Sequence, residues 1–169
     1  MAYVYKQVKY KFFELLPLLL LFFISLSGNS ILDLKFFSVN IHYILVYFWV
    51  LRKPRILGYG FIFLSGIVND AVVGLPIGVS SVTYLILAGF AAYIRYLTVQ
   101  PSMVSDWIVF IPAIAVTNSV YFYILRIFFD INVNYISLLL NTGITILLYP
   151  VFSILFSFLA NKIMKERNV

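Results

Sequence analysis

Long apolar stretches, separated by short polar segments, follow one another along the chain. Among them, residues 77–94, 107–125 and 135–160 contain no Asp, Glu, Lys or Arg. An uncharged apolar run of about 20 residues is long enough to cross the hydrocarbon core of a bilayer as a helix. Because the apolar residues are continuous rather than alternating, the pattern favours helices over the strands of a β-barrel. The sequence therefore predicts an all-α integral membrane protein.

The amino-acid composition supports this class. Of the 169 residues, 63% are hydrophobic and 11% are charged. A soluble domain of this composition would expose too much apolar surface to stay dissolved. We therefore expect residues 1–169 to form a single transmembrane domain, without a sizeable soluble domain beside it. The chain has no cysteine, which excludes disulfides and thiol chemistry.

Charged residues and prolines divide the chain into six predicted transmembrane helices. The helices cover approximately residues 12–28, 36–52, 56–73, 77–97, 104–129 and 135–163, and a short connection precedes the second. Pro17 is placed in the first turns of helix one, where proline is tolerated best. The third helix either runs past Asp70 to Val73 or stops near Asn69, with a turn that dips into the membrane. Both alternatives place Asp70 in or near the apolar region.

The basic residues are distributed unequally between the two sides of this six-helix arrangement. Ten lie on the side that holds both termini: Lys6, Lys9, Lys11, Arg52, Lys53, Arg55, Arg95, Lys162, Lys165 and Arg167. Only Lys35 and Arg126 lie on the other side. Because cytoplasmic loops carry an excess of Lys and Arg, both termini are predicted to be cytoplasmic. Their placement at the ends of apolar stretches favours a topological role over nucleic-acid binding.

One stretch, residues 54–82, carries an acid within an apolar helix. Gly66, Asp70 and Gly74 recur at every fourth position, which would place all three on one face of a continuous helix. Pro76 and Gly78 follow directly, and both are unfavourable in a helix interior. The sequence therefore predicts a helix with one acid on a narrow glycine face, followed by a sharp turn.

Two roles are open for Asp70. Intramembrane acids are functional by default, so its carboxylate could carry a proton or contact a ligand or a partner. Alternatively, it could accept hydrogen bonds from the free backbone N–H groups of residues 78–80, at the positive end of the next helix. We favour the second role, because these N–H groups lie close to Asp70 in the sequence.

Other polar residues within the predicted helices also have two interpretations. Asn118, Asn141, Thr142 and Thr145 could line a ligand cavity. More often, such residues form hydrogen bonds between helices or to carbonyl groups of their own helix. His42 is the only histidine, and no Cys, Glu or second His lies at a spacing suited to a metal site. We interpret His42 as a residue near a helix start at the membrane interface.

Arg126 and Asp130 are four residues apart at the end of predicted helix five. This spacing predicts an exposed ion pair, and contact with a periplasmic partner is the alternative. Elsewhere the sequence contains no phosphate-binding loop, no nucleophile beside a base and no paired carboxylates. The sequence therefore predicts neither an enzyme nor a cofactor site.

A specific order of residues spans Tyr47 to Leu85. An apolar helix with Tyr47 and Trp49 is followed by Arg52-x-Pro54, Gly66-x-x-x-Asp70 and Gly74-x-Pro76-x-Gly78-x-Ser80. This order of residues resembles that of the MreD family, whose members are small integral membrane proteins of the bacterial rod-shape (elongation) system. The motif covers about a quarter of the chain. Length, helix number and basic flanks also fit the family, while the rest of the chain matches only in hydropathy.

The resemblance implies a non-enzymatic scaffold in the bacterial inner (cytoplasmic) membrane. It implies association with MreC, and with MreB, RodA and a penicillin-binding transpeptidase as further partners. It also implies a fold that resembles the six-helix substrate-binding component of energy-coupling-factor vitamin transporters. The motif residues of the predicted site are Pro54, Gly66, Asp70, Gly74, Pro76 and Gly78.

A small-molecule (vitamin-like) binding component of a membrane transporter is the alternative function. Such components typically dock to their transport partner through small residues, Ala-x-x-x-Ala, in helix one. Helix one of this chain reads Leu-Leu-Pro-Leu-Leu-Leu-Leu-Phe-Phe-Ile, which is bulky throughout and counts against this alternative. An intramembrane enzyme, a third class, would have no candidate catalytic group beyond Asp70.

Overall fold

A computed structural model describes the backbone of residues 2–28, 39–54, 56–98 and 102–167. It describes the side chains of residues 15–28, 39–54, 56–98 and 102–162. The predicted connection before helix two, with Lys35, lies outside the described residues, and so does Arg55.

Six helices and one π-helical turn account for the regular secondary structure of the described residues. The helices are α1 (Ala2–Ser27), α2 (Ile41–Arg52), α3 (Tyr59–Val73), α4 (Val79–Leu97), α5 (Met103–Tyr123) and α6 (Tyr135–Arg167). The π-helical turn, Ile124–Phe128, continues α5. The predicted all-α class is confirmed.

Helix boundaries differ from the sequence prediction mainly in α1. This helix begins at Ala2 rather than near residue 12, so Pro17 lies in the helix interior instead of its first turns. The segment before Pro17 contains neither Gly nor another Pro, the residues that most disfavour a helix, and nothing local stops α1 there. The end of α2 agrees with the prediction. This helix ends at Arg52, shortly before Pro54, as expected for a helix that meets a proline.

Three helices are long and apolar enough to cross a membrane. They are Val79–Leu97, Met103–Phe128 and Tyr135–Lys162. More than half of each of these segments is not buried inside the bundle, which suits contact with lipid. Two further apolar helices, Ile41–Arg52 and Tyr59–Val73, are shorter, and the segment Leu15–Ser27 of α1 is also apolar. The chain is therefore a helical membrane protein with three candidate spans among its described residues.

Five helices form a ring around α2. In order around the ring, α1 contacts α3, α3 contacts α4, α4 contacts α5, α5 contacts α6, and α6 returns to α1. The enclosed α2 packs against α1, α4 and α6, and its side chains also contact α5. Every residue from Ile41 to Leu51 is buried, which requires neighbours on all sides of this helix. The centre of the bundle is thus a short helix that faces only protein.

Aromatic side chains fill the space between α2 and its neighbours α5 and α6. The ring centroid of Tyr47 lies 4.9 Å from that of Phe110 and 5.9 Å from that of Tyr149. Phe48 lies 5.6 Å from Phe156, again by ring centroids. Tilted and edge-to-face pairs at such distances are favourable. These contacts set the position of α2 along the axes of α5 and α6.

Successive helices run in opposite directions, so each end of the bundle collects distant parts of the chain. At one end, a cavity is lined by the start of α2, the end of α3, the start of α4, the end of α5 and the start of α6. We call this the cavity end. At the opposite end, Arg52 at the end of α2 meets Asp106 near the start of α5.

Candidate functional site

The helices α3 and α4 approach each other most closely at Gly66. A Cβ atom added to Gly66 would lie 2.4 Å from Ser81 Cα and 2.5 Å from Ser81 N. Next to this contact, the Ser81 hydroxyl donates a hydrogen bond to the Phe63 carbonyl at 2.8 Å. Only glycine leaves room for a second backbone at this distance. Gly66 therefore allows α3 and α4 to touch backbone to backbone.

We expect Gly66→Ala to lower the free energy of unfolding by about 1–3 kcal/mol or more, although it adds one methyl group. The methyl group would collide with backbone atoms, which cannot move aside as a side chain can. Gly89 in α4 is a matched control, because an added Cβ would meet nothing within 4 Å. Gly89→Ala should be neutral or slightly stabilising. Unfolding in detergent measures both variants, and equal stability of the two would contradict the close contact.

The end of α3 corrects one part of the sequence prediction. The helix runs past Asp70 to Val73, but Gly74 lies beyond it, with φ of 76°. A Cβ atom on Gly74 would meet nothing within 4 Å, so this residue is not part of a glycine contact face. Instead, Gly74 ends the helix: its N–H and that of Leu75 both donate to the Asp70 carbonyl. The predicted three-residue face is wrong at this position, because a left-handed residue leaves the helical path.

The carboxylate of Asp70 caps the start of α4. Its Oδ2 accepts hydrogen bonds from the backbone N–H groups of Gly78 at 2.8 Å and Ser80 at 3.1 Å. Its Oδ1 is also 3.1 Å from Ser80 N. Gly78 reaches this geometry with φ of 104°, a value that favours glycine. The hydrogen bonds that the sequence predicted from residues 78–80 are present, and Asp70 is fully buried.

Five of the six predicted motif residues form one structural unit. We call it the α3–α4 clasp: Gly66, Asp70, Gly74, Pro76 and Gly78. The backbone carbonyl of Asp70 ends α3, and its side chain begins α4. Pro76 lies in the connection, where its carbonyl accepts a hydrogen bond from Val79 N at 3.3 Å. Pro54 is not part of the clasp, because it lies in the turn after α2, at the opposite end of the bundle.

A cavity of about 240 Å³ lies beside the clasp. Most of its lining side chains are polar: Asn40, His42, Tyr43, Asn69, Ser80, Tyr84, Asn118, Tyr121, Asn134, Ser137 and Asn141. Its described lining includes no Asp, Glu, Lys or Arg. Because Asn69 and Asn118 are buried while Asn134 and Ser137 are exposed, the cavity extends from the bundle interior to the surface.

Two asparagines of the lining have an oxygen atom without a partner. Asn69 Nδ2 donates to Ser80 Oγ at 3.0 Å, and Asn118 Nδ2 donates to Thr142 Oγ1 at 2.5 Å. The Oδ1 atom of each asparagine is buried and accepts no hydrogen bond from the described part of the chain. Each residue is only 5% exposed. Because buried polar atoms are nearly always paired, these two oxygen atoms require an explanation.

The polar residues predicted in the later helices divide between their two interpretations. Thr142 and Thr145 each donate to a carbonyl one turn earlier in α6, at 2.7 Å. Thr145 Oγ1 also accepts from the backbone N–H of Asn40, which joins the start of α2 to α6. Asn118 and Asn141, in contrast, both line the cavity.

His42 lies at the start of α2, as predicted, and its side chain is buried inside the bundle. It is 3% exposed. Its Nε2 lies 3.2 Å from Ser25 Oγ, and its ring stacks on Tyr84 with centroids 5.3 Å apart. The bundle therefore encloses His42 between α1 and α4. Among the described residues, no group of three or more His, Cys, Asp or Glu side chains could hold a metal ion.

The predicted ion pair at the end of α5 is not formed between the described Arg126 and Asp130. Arg126 donates instead to the side chain of Asn132. The π-helical turn ends at Phe128, and Asp130 has φ of 49°. Residues four positions apart come close together only within a continuous helix. Because the helix stops before Asp130, Arg126 and Asp130 do not have this geometry.

A partly buried ion pair at the opposite end of the bundle was not predicted. Arg52 Nη2 lies 2.5 Å from Asp106 Oδ2, and the side chains of Arg52 and Asp106 are 25% and 2% exposed. Tyr47 OH donates to the Asp106 carbonyl at 3.4 Å. The sequence indicates Arg52 only as a charge that stops helix two, and Asp106 lies 54 residues later. No sequence spacing connects the two, because their contact depends on how α2 and α5 pack.

Comparison with protein-family models, with curated proteins and with solved structures finds no match to this chain. The resemblance to MreD therefore rests on the order of the motif residues.

Proposed function

We propose that this chain is a non-enzymatic membrane scaffold of the MreD type, which associates with MreC and the peptidoglycan synthesis machinery of the bacterial inner membrane. MreB, RodA and a penicillin-binding transpeptidase are proposed as further partners. The observation that supports the proposal is the α3–α4 clasp. In it, the motif residues that carry the resemblance pack into one unit that joins two helices.

The contacts of Asp70 favour a structural role over a chemical one. Both oxygen atoms of its carboxylate face backbone N–H groups of α4, and its carbonyl accepts from the end of α3. A proton carrier must exchange its proton with a mobile partner, whereas Asp70 is fully buried. We therefore assign Asp70 to the stability of a scaffold surface rather than to catalysis.

We further propose that all six helices cross the membrane as one bundle, with both termini cytoplasmic. The helices α2, with 12 residues, and α3, with 15 residues or about 22 Å, are shorter than a hydrocarbon core of roughly 30 Å. They pack against longer helices, so the bundle as a whole supplies the apolar thickness. The ten-to-two distribution of basic residues sets the orientation.

Reporter fusions test this topology. Fusions after Arg55, in the connection at residues 98–104 and at the C-terminus should all report cytoplasm. Fusions near Lys35 and at Asn132 should report the outside. A cytoplasmic signal at Asn132 would contradict the six-span arrangement, because α5 and α6 would then not both cross.

The polar cavity favours the second candidate, a small-molecule binding component of a transporter. The exposed face of α1 argues against it, because it carries large side chains: Leu15, Leu19, Phe23 and Leu26, which are 51–63% exposed. Docking through small residues requires close approach of two backbones, which bulky side chains prevent. We therefore place the scaffold function first.

Crosslinking in native membranes, followed by purification, distinguishes the two candidates. The scaffold proposal expects MreC and the elongation synthases in a stable complex. Recovery of a transporter ATPase instead, together with a stoichiometric small molecule, would overturn it. A triple variant of the exposed α1 face, Leu15→Ala with Leu19→Ala and Phe23→Ala, shows whether that face carries the contact.

A further inference from the structure

We propose that the cavity beside the α3–α4 clasp binds a small molecule or lipid head group that carries ammonium or amide N–H donors. The unpaired oxygen atoms of Asn69 and Asn118 are the acceptors that would recognise it. This inference is independent of the partner proteins proposed above, since it concerns a site formed by this chain alone.

The hydrogen bonds of Asn118 determine which atom faces the cavity. The Thr142 hydroxyl donates its single proton to the Leu138 carbonyl at 2.7 Å. It can therefore only accept from Asn118, which requires the amide nitrogen of Asn118 to point at Thr142. The oxygen of Asn118 is then left as an acceptor without a donor. A ligand for this position must supply a donor.

Asn69 presents a second acceptor from another helix. Its amide nitrogen is used by Ser80, which ties α3 to α4 next to the clasp. Its oxygen is buried without a partner among the described residues. Two unpaired acceptors on α3 and α5, lining one cavity, match a ligand with two or more N–H donors better than a ligand with one.

The charge around the cavity selects against anions. Asp70 lies between the lining residue Asn69 and the start of α4, and its carboxylate contacts backbone N–H groups rather than a cation. The described lining contributes no Lys or Arg that could pair with a phosphate or a carboxylate. An ammonium group would be attracted by the buried carboxylate, and an amide would be tolerated.

The cavity volume of about 240 Å³ limits the size of the ligand. Sites for drug-sized molecules occupy about 300–1,000 Å³, and a cavity of about 150 Å³ can bind benzene, so this cavity suits a molecule or head group of about ten heavy atoms or fewer. Ethanolamine meets these requirements, both as a free solute and as the terminal group of phosphatidylethanolamine, whose phosphate would lie outside the cavity. Choline and phosphatidylcholine are matched controls, because their quaternary nitrogen carries no N–H.

The experiment uses the full chain in nanodiscs, with thermal unfolding and ligand-observed NMR as readouts. One arm adds free ethanolamine or choline to phosphatidylcholine nanodiscs, and the other compares phosphatidylethanolamine with phosphatidylcholine nanodiscs. Stabilisation by free ethanolamine but not choline identifies a solute site. Stabilisation by phosphatidylethanolamine alone identifies a head-group site. An equal response to choline, or no response in either arm, would overturn the proposal.

Asn118→Leu shows whether the response arises in the cavity. This variant removes the unpaired acceptor and keeps the bond from Thr142 to its own helix, so it should fold. Without ligand it should unfold at the same temperature or about 2–4 °C higher, because a buried unpaired group is removed. Its affinity for the ethanolamine group should fall about tenfold or more.

The control for this variant is Asn161→Leu, at an exposed position of α6. It should bind ethanolamine as the unaltered chain does. Unchanged binding by Asn118→Leu would place the response elsewhere and overturn the proposal. If Asn118 had a purely structural role, Asn118→Leu without ligand would unfold at a lower temperature than the unaltered chain. That result would also contradict the proposal.

Discussion

Asp70→Leu should destabilise the protein severely, whereas Asp70→Asn should be mild. Leucine leaves the partly buried N–H group of Gly78 and the buried N–H group of Ser80 without an acceptor. Each unsatisfied group costs about 1–3 kcal/mol, so the free energy of unfolding should fall by about 2–6 kcal/mol. Since Asp70 Oδ2 alone lies 2.8 Å from Gly78 N and 3.1 Å from Ser80 N, a single amide oxygen can serve both donors.

Equilibrium unfolding in detergent, with amide hydrogen exchange at residues 74–80, measures this difference. Asp130→Asn and Ser119→Leu are controls for the two substitutions, because both positions are exposed. Both controls should change stability by less than about 0.5 kcal/mol. If Asp70→Asn were as stable as the unaltered chain but recovered none of its partners from membranes, the carboxylate charge itself would be functional. The clasp would then not be the main role of Asp70.

Arg52→Met should lower the free energy of unfolding by about 3–5 kcal/mol, because it leaves the carboxylate of Asp106 buried without its counterion. Asp106 is 2% exposed, and Arg52 Nη2 lies 2.5 Å away. Adding Asp106→Asn to Arg52→Met should restore much of the loss, since the double variant no longer buries an unpaired charge. Arg52 matters here less as a basic residue at the membrane surface than as the partner of one acid.

A double-mutant cycle provides the test for this ion pair. The two single variants and the double variant should give a coupling energy well above the roughly 0.5 kcal/mol that independent sites show. The exposed Arg95 serves as the control, and Arg95→Met should not depend on the Asp106 substitution. If the losses of unfolding free energy in the two single variants simply added up in the double variant, the ion pair between Arg52 and Asp106 would be contradicted.

The features that sequence reasoning predicted correctly are local in the chain. Arg52 and Pro54 mark the end of α2, because a charge and a proline act within one helical turn. Asp70 and the N–H groups of residues 78–80 are at most ten positions apart, and a sharp turn between two helices brings them together. The sequence prediction placed Gly74 on the glycine face of α3, but Gly74 lies beyond the end of this helix. Its four-residue spacing from Asp70 fits a continuous helix, and spacing alone does not indicate a left-handed backbone conformation.

The packing of the helices was not predictable, because nearly all of their faces are apolar. A helix that is hydrophobic on all sides gives no direction to its neighbours, unlike an amphipathic helix. The contact of Arg52 with Asp106 and that of Asn40 with Thr145 both depend on this packing. The cavity depends on it too, since Asn69 and Asn118 meet the same space from α3 and α5. It becomes clear that the oxygen atoms of these two asparagines lack a partner only once the hydrogen bonds of each side-chain amide are known.

Enclosure of α2 within the ring also has a consequence for biogenesis. A helix of 12 residues spans about 18 Å, and alone in lipid it would thin the bilayer or pull its charged end inward. In the finished bundle α2 faces α1, α4, α5 and α6, so bilayer thickness does not act on it. The helices α4, α5 and α6 follow α2 in the chain and are synthesised after it. Although α2 is made earlier, it therefore reaches its final surroundings only once these later helices are in place.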